Sequence, residues 1–331
     1  MWHVGIDLHR STVVVAAVND RGEAFSPVSI PCREEQEILN VLKGLTPFRA
    51  VIEASETYRW LHDLISPLGT VLLAHPLKLY SMIQRRSKTD KIDAMLLAQL
   101  LRINQVPLAY IPPEEFQYLR DITRYRVKVG REIAKLKCEV KALLARHNIE
   151  APYNNLCGVR GEKWLLKQEF GFADNCVRDD LVERLHSVRL RVAGAQERLV
   201  AVSGKYPQVG ALLDIHGIGI YTALLIIGEI GEVKRFRTAR QVGAYAGLTA
   251  RVNQSGGHCY HGHITRQGSG WLRWALVEAA IKVIRRDGEL ANFYQRVRKR
   301  SSAKIARVAV ARKLAEICWK RLRRWHRLNA G

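Results

Sequence analysis

Within the first hundred residues, three apolar runs follow one another directly and then give way to an alternation of helical and strand patterns. The runs at 2–8, 11–19 and 23–31 are short and rich in β-branched residues, and Asn19-Asp20-Arg21-Gly22 supplies a hairpin turn between the last two. The pattern then predicts a helix over 34–44, a strand over 48–54, a helix over 57–67 and a fifth strand over 69–74, with helices near 78–84 and 90–104. A meander of three strands followed by strand–helix units buries its apolar faces as one mixed sheet with helices packed on it.

Four carboxylates sit at particular points of this order. Asp7 lies on the first strand, in Val4-Gly5-Ile6-Asp7-Leu8-His9, and Glu53 closes the fourth, after Ala50-Val51-Ile52. Asp90 and Asp93 open a helix in Lys88-Thr89-Asp90-Lys91-Ile92-Asp93 and, three apart, share one of its faces. Singly, each has an ordinary explanation: an Asp after a strand forms turns or caps, and acids favour a helix N-terminus. Taken together the order of elements is ribonuclease-H-like, with the first strand central, and it brings the four toward one place. Converged carboxylates repel unless divalent cations neutralise them. Such a site suits two-metal phosphodiester chemistry, with ions roughly 3.5–4 Å apart.

The length, 331 residues, allows two or three domains. The 53 Lys and Arg outnumber 31 Asp and Glu, for a formal charge of +22, which favours a polyanionic partner, with nucleic acid the first candidate. No run of 18 apolar residues and no signal peptide is present, so the expectation is a protein without a membrane partner. Cys32, Cys138, Cys157, Cys176, Cys259 and Cys318 are scattered without a C-x-x-C pair and read as reduced thiols of a cytoplasmic protein.

Ile111-Pro112-Pro113 ends the first region, and the reading divides the chain into 1–108, a helical linker over 109–207 and a mainly α-helical part over 208–331. Leu119, Ile122, Val129, Ile133, Leu136, Val140 and Leu143 keep helical spacing with Arg126 as an interruption, and Leu181, Leu185, Val188, Val192, Ala195, Leu199 and Val202 repeat it. Two such stripes predict an antiparallel hairpin, an intermolecular coiled coil, or packing onto the chain's own domains. Residues 150–176 between them read as an irregular tip. Further on, Ile215-His216-Gly217-Ile218-Gly219 between apolar helices has a helix-hairpin-helix pattern, in which Gly217 and Gly219 let backbone amides approach a phosphate; a plain interhelical turn is the competing reading. A helix over 238–246, a Gly-rich segment over 252–270 and a helix over 271–285 follow. The tail, 296–327, carries thirteen Lys and Arg against Glu316 alone, with Trp319 and Trp325 interleaved. Its apolar residues, among them Ile305, Val310, Leu314 and Leu322, predict a helix with one buried and one basic face. Arg273, Arg298, Lys299, Arg300 and Lys304 join Gly217 and Gly219 as candidate nucleic-acid contacts.

Within the Gly-rich segment, Asn253-Gln254-Ser255-Gly256-Gly257-His258 places a serine where a substrate backbone can come close. A hydroxyl is a poor nucleophile without a base or metal, so on its own Ser255 reads as a loop serine. Cys259, His261 and His263 lack the spacing of a structural zinc site and suit a phosphate-facing surface.

With these motifs in hand, the chain resembles the DEDD-type insertion-sequence transposases, of the group of bridge-RNA-guided recombinases. The likeness rests in front on Gly5-Ile6-Asp7, Ile52-Glu53-Ala54 and Lys88-Thr89-Asp90-x-x-Asp93-Ala94. Behind, it rests on Ile215-x-Gly217-Ile218-Gly219, Phe236, Ala239-Arg240-Gln241, Ala244-Tyr245-Ala246-Gly247-Leu248-Thr249, Gln254-Ser255-Gly256-Gly257, Ile264-Thr265-Arg266-x-Gly268, Leu272-Arg273 and Ala275-Leu276. Two stretches depart from the family pattern: Glu56 stands where Gly is common, and Cys259-Tyr260-His261-Gly262-His263 replaces an Arg-rich run. The resemblance implies a ribonuclease-H-like (RuvC-like) catalytic domain, a coiled-coil linker and a C-terminal transposase domain. It implies that Asp7, Glu53, Asp90 and Asp93 hold two magnesium ions, for which manganese can substitute, and that Ser255 attacks DNA to form a transient phosphoserine link. Donor and target DNA, a structured noncoding RNA that chooses both, and a homo-oligomer, dimer or tetramer, are the implied partners, in the prokaryotic cytoplasm at the nucleoid. The competing readings are a junction nuclease that uses water, and an inert nucleic-acid scaffold.

Overall fold

The computed structural model describes residues 1–82, 89–153, 155–255, 258–286 and 288–329. The chain divides into two compact units, Met1–Ile111 and Pro112–Gly331.

In the first unit, strands β1 (Trp2–Leu8), β2 (Thr12–Asn19) and β3 (Ala24–Pro31) precede helix α1 (Glu35–Gly44), β4 (Phe48–Glu53), α2 (Tyr58–Ile65), β5 (Thr70–Ala74), α3 (Pro76–Met82) and α4 (Asp90–Arg102). The sequence reading has every one of these elements, with ends displaced by a residue or two. The sheet order is β3-β2-β1-β4-β5. β1, β2 and β3 form an antiparallel meander, and β4 and β5 run parallel to β1. Asn19 closes the β2–β3 hairpin by accepting from the Arg21 and Glu23 amides at 3.0 and 2.9 Å, with Gly22 at φ +88°. Val4, Ile6 and Leu8 of β1 pack with Ile38 and Leu42 of α1 and Leu61 and Ile65 of α2. The opposite face receives α4, whose Ala94 meets Val14 and Ala16 of β2 and whose Leu97 and Leu101 meet Val51 of β4. Covered on both sides, β1 and β2 are buried at consecutive positions, β2 as a continuous apolar run and β1 with His3, Gly5 and Asp7 alternating among apolar residues.

Gly5 fixes how close α4 comes. A methyl there would collide with the Ala94 carbonyl and the Ala98 amide and lie 2.9 Å from Leu97 Cβ. Only a residue without a side chain lets the helix rest directly on the central strand.

The second unit contains α5 (Glu114–Arg146), α6 (Val159–Leu165), α7 (Phe172–Ser203), α8 (Gly210–Leu213), α9 (Ile220–Ile230), α10 (Ala239–Tyr245), β6 (Ala250–Ser255), β7 (His258–Ile264), α11 (Gly270–Val283), α12 (Glu289–Arg300) and α13 (Ala303–Leu328). α5 and α7 lie antiparallel: Glu132 pairs with Arg191, Glu139 with Arg184 and Asp174 with His147, the partners moving in opposite directions along the chain. The two apolar stripes thus meet within the chain, Val129, Leu136, Val140 and Leu143 against Leu181, Leu185 and Val188. Nearer the hairpin's base, Phe116, Leu119 and Leu199 join the core built by α9, α11 and α13. Every residue of α9 from Ala223 to Ile230 is buried.

Three expectations need correction. The tip over 150–176 is not wholly irregular, since it holds α6 and the start of α7. The Gly-rich 252–270 is not a loop: β6 and β7 pair antiparallel as a two-stranded ribbon. The tail is two helices rather than one. Ser302 breaks it by capping α13, its side chain accepting from the Ile305 amide at 3.3 Å, and Ile305 itself is exposed while Val310, Leu314, Cys318 and Leu322 are buried.

Candidate metal centre

The parallel register of β1 and β4 pairs Ile6 with Ile52. One residue further along both strands stand Asp7 and Glu53, on neighbouring strands about 4.8 Å apart and on the same face of the sheet. That face is the one Gly5 opens to α4. The helix starts at Asp90, behind an N-cap in which Thr89 Oγ1 accepts from the Ile92 amide at 3.3 Å. Its first turn therefore delivers Asp90 and Asp93 toward the end of β1, where the positive end of the helix dipole lessens their repulsion. Asp7 and Asp93 are buried, at 8% and 7% exposure, and Asp90 is exposed.

A fifth residue belongs here. His9, one position past the end of β1, places Nε2 3.2 Å from Asp7 Oδ2 and 3.1 Å from Asp90 Oδ1. Donor atoms of Asp7, His9 and Asp90 all lie within 4.8 Å of one another. Glu53 and Asp93 stand outside this close trio, Glu53 across from Asp7 and Asp93 one turn along α4. The sequence carried a usable signal for His9: in an extended chain residues two apart share a face, so His9 follows Asp7 as Asp7 follows Gly5.

The donors fit a divalent cation. Neighbouring ligands of six-coordinate magnesium, with bonds of about 2.1 Å, lie about 3 Å apart, which is the spacing between Nε2 and each carboxylate oxygen. One imidazole nitrogen faces two carboxylate oxygens, and its single N–H can align with only one of them. A cation satisfies both.

The remaining predicted residues all lie in the second unit. Ser255 ends β6, paired with His258 at the start of β7; its side chain, with Gly256 and Gly257, is outside the described residues. Gly217, at φ +84°, packs against α11, where a methyl would lie 2.8 Å from Lys282 Cβ and 3.1 Å from the Ala279 carbonyl. Its glycine is thus required by helix packing. Gly219 caps α9, and a side chain there would meet open space. Arg273 is turned inward, donating from Nη1 to the Ala246 carbonyl at 3.0 Å and the Arg266 carbonyl at 3.3 Å. Burial, and then the charge of Arg266, lowers its pKa below the ordinary arginine range. Arg298, Lys299 and Arg300 in the last turn of α12, and Lys304 in α13, are exposed. Cys32, Cys138, Cys157, Cys176 and Cys318 are free thiols. Among the described residues no helix is long and apolar enough to cross a membrane.

Comparison with known proteins gives two family matches in chain order. Residues 4–149 match a DEDD transposase model of the IS110 type, and residues 209–295 match the model described as Transposase IS116/IS110/IS902 family. A probable family 20 transposase of Pseudomonas aeruginosa is 26% identical over 97% of this chain and 96% of its own. The transposase for insertion sequence element IS1328 of Yersinia enterocolitica is 27% identical over 96% of this chain and 95% of its own. The transposase for element IS1533 of Leptospira borgpetersenii is 25% identical over 72% of each.

Proposed function

Because the chain belongs to the IS110-type transposases, we propose that it moves an insertion element by cutting and rejoining DNA at Asp7, Glu53, Asp90 and Asp93, with Ser255 as nucleophile. The observation that carries this reading is the meeting of Asp7 and Asp90 at the end of β1, with Glu53 on the adjacent strand. The sheet order β3-β2-β1-β4-β5 supports a ribonuclease-H-like catalytic domain, and the open amide end of α9 at Gly219 supports a helix-hairpin-helix contact with phosphate. Asp7, Asp90 and His9 would hold one divalent ion, and Glu53 and Asp93 would engage a second. Bound magnesium would polarise the phosphoryl oxygens and lower the pKa of the attacking hydroxyl.

The chain's own residues do the rest. Ser255 Oγ forms the new bond to phosphorus and gives up its proton, and the departing DNA oxygen takes up a proton and leaves as a free hydroxyl. The ester keeps the energy of the broken bond, so a hydroxyl of another strand can attack it, release Ser255 and join the DNA. Buried Asp7 and Asp93 stay in place through this cycle, while exposed Asp90 and His9 admit the ion.

Covalent trapping tests the reading. Protein, magnesium and DNA carrying the element's junction, with any co-purifying RNA retained, are denatured and searched for a protein–DNA adduct. An adduct is expected in the wild type and absent in Ser255→Ala and Asp7→Asn. Cleavage without an adduct, unchanged in Ser255→Ala, would replace the serine mechanism with hydrolysis by water. Full cleavage by Asp7→Asn would remove the metal centre from the chemistry. The guiding RNA and the homo-oligomer belong to the same proposal, and ribonuclease treatment before trapping tests the first of them.

A further inference from the structure

At the far end of α13 is an open cleft of about 730 Å³. Lys320, Arg323, Arg324 and Arg327 line one side, and Lys234, from the short turn Val233–Arg235, lines the other. These are not the basic residues at 298–304, which lie near the opposite end of the same helix. All five are exposed, and among the described residues none pairs with a carboxylate.

Ion pairing sets this cleft apart from the helical hairpin: its five cations make none among the described residues, although the charge of Glu115 reaches His326 in its lining. Along α5 and α7, Arg184 is answered by Glu139 and Asp180, Arg189 by Glu162 and Arg191 by Glu132. Like charges crowded round a concavity raise the local potential and draw in an anion. The negative end of the α13 dipole accounts for Arg327 and Arg324 in its last turns. It does not account for Lys320, two turns back, or for Lys234 on another element.

The spacing indicates the kind of anion. Lys320, Arg323, Arg324 and Arg327 fall at i, i+3, i+4 and i+7, one face of the helix. They extend over roughly 10 Å of axis, the length of about three phosphates of one strand at ~3.4 Å each. Base reading has little support here. Trp319, the aromatic floor, is 5% exposed, its Nε1 donates to the Val233 carbonyl at 3.3 Å, and the Arg323 guanidinium covers its ring at 4.8 Å.

We infer that this cleft is a second nucleic-acid site, a clamp for a short stretch of phosphodiester backbone held by charge and without regard to base sequence. It rests on the proposed function only in taking nucleic acid as the polyanion.

The test uses the full chain and a fluorescent duplex of scrambled sequence, with single-stranded DNA and duplex RNA as parallel arms. The triple variant Lys320→Gln, Arg324→Gln, Arg327→Gln is expected to bind roughly 10- to 100-fold more weakly, and its salt slope to fall by about 2 to 3. The double variant Arg312→Gln, Lys313→Gln removes cations of the same helix that lean on Glu316 at 3.7 and 3.8 Å. It should lose less than about threefold. In the wild type, Lys234 and Lys320 should be shielded from acetylation by whichever nucleic acid binds. Equal losses in the two variants, an unchanged salt slope, or undiminished acetylation would overturn the clamp. So would shielding by phosphatidylserine vesicles where nucleic acid gives none. The two proposals fail separately: an adduct with a reactive Lys320 removes only the clamp, and a shielded Lys320 without an adduct removes only the serine chemistry.

Discussion

The helical hairpin of α5 and α7 and the terminal helix α13 are both rich in arginine and use it in opposite ways. On the hairpin, arginines are engaged within the protein by carboxylate, carbonyls and aromatic rings. Arg124 is bound in fork geometry to the buried carboxylate of Glu229, at 2.7 and 3.1 Å, and Glu229 Oε2 also accepts from Ser269 Oγ at 2.7 Å. Arg120 donates nearby to the carbonyls of Gly228 and Glu229. Arg131 lies 4.9 Å over Trp271, and Arg126, the residue that interrupts the apolar stripe, lies 5.3 Å over Tyr221. At the end of α13, Lys320, Arg324 and Arg327 make no ion pair among the described residues, while Arg323 lies 4.8 Å over Trp319 and Arg321, outside the cleft, pairs with Asp214 at 3.0 Å. Composition counts both sets equally toward +22, yet only the second leaves a field for a ligand. A basic chain binds polyanions where its charge is uncompensated, not where arginine is most frequent.

The largest test of this contrast is Glu229→Ala. It leaves Arg124 partly buried without its anion, so unfolding in denaturant should show a loss of about 3–5 kcal/mol. A loss under about 1 kcal/mol would mean that apolar packing of α9 alone holds the base of the hairpin. The cleft variants come next and invert the pattern. The triple glutamine variant of Lys320, Arg324 and Arg327 should melt at the wild-type temperature or above while binding falls, because removing mutual repulsion costs the fold nothing. A lower melting temperature would show that those cations serve the fold. Smaller again is Glu162→Gln. Arg189 Nη1 donates to its carboxylate at 2.6 Å, and losing the charge while keeping an acceptor should cost about 1 kcal/mol with nucleic-acid affinity unchanged.

Much of the first unit can be read from its residues because local pattern and tertiary demand agree there. Apolar runs bounded by turn residues become strands, and Gly5, Asp7 and Glu53 take their roles from register and alternation. His9 continues the alternation of Gly5 and Asp7, but a histidine beyond a strand end marks no site until Asp90 arrives on α4. In the second unit the agreement is weaker. Gly256-Gly257 between two polar runs is a hairpin signal, but β6 and β7 are poor in β-branched apolar residues, so composition favoured a loop. Gly217 shows the same limit from the other side: a glycine needed beside a phosphate and one needed beside Ala279 look alike until the neighbouring helix is in place.

The smallest effect is a pH dependence within the clamp. His326 lines the cleft, and its pKa is held below the ordinary value of 6.5 first by burial and then by Lys234, with Glu115 pulling the other way. In the free protein His326 is therefore neutral at pH 7 and protonates only below the usual range. Phosphate in the cleft offsets Lys234 and favours the imidazolium, so the bound state has the higher pKa. Between the bound and free pKa values the complex carries more protons than the free protein, and affinity must rise as pH falls through that window, levelling off below the free value. The gain on going from about pH 7.5 to about pH 5.5 should exceed any change shared by His326→Gln. Equal pH profiles for wild type and His326→Gln would place the bound backbone out of reach of His326, and would shorten the clamp to Lys320, Arg323 and Arg324.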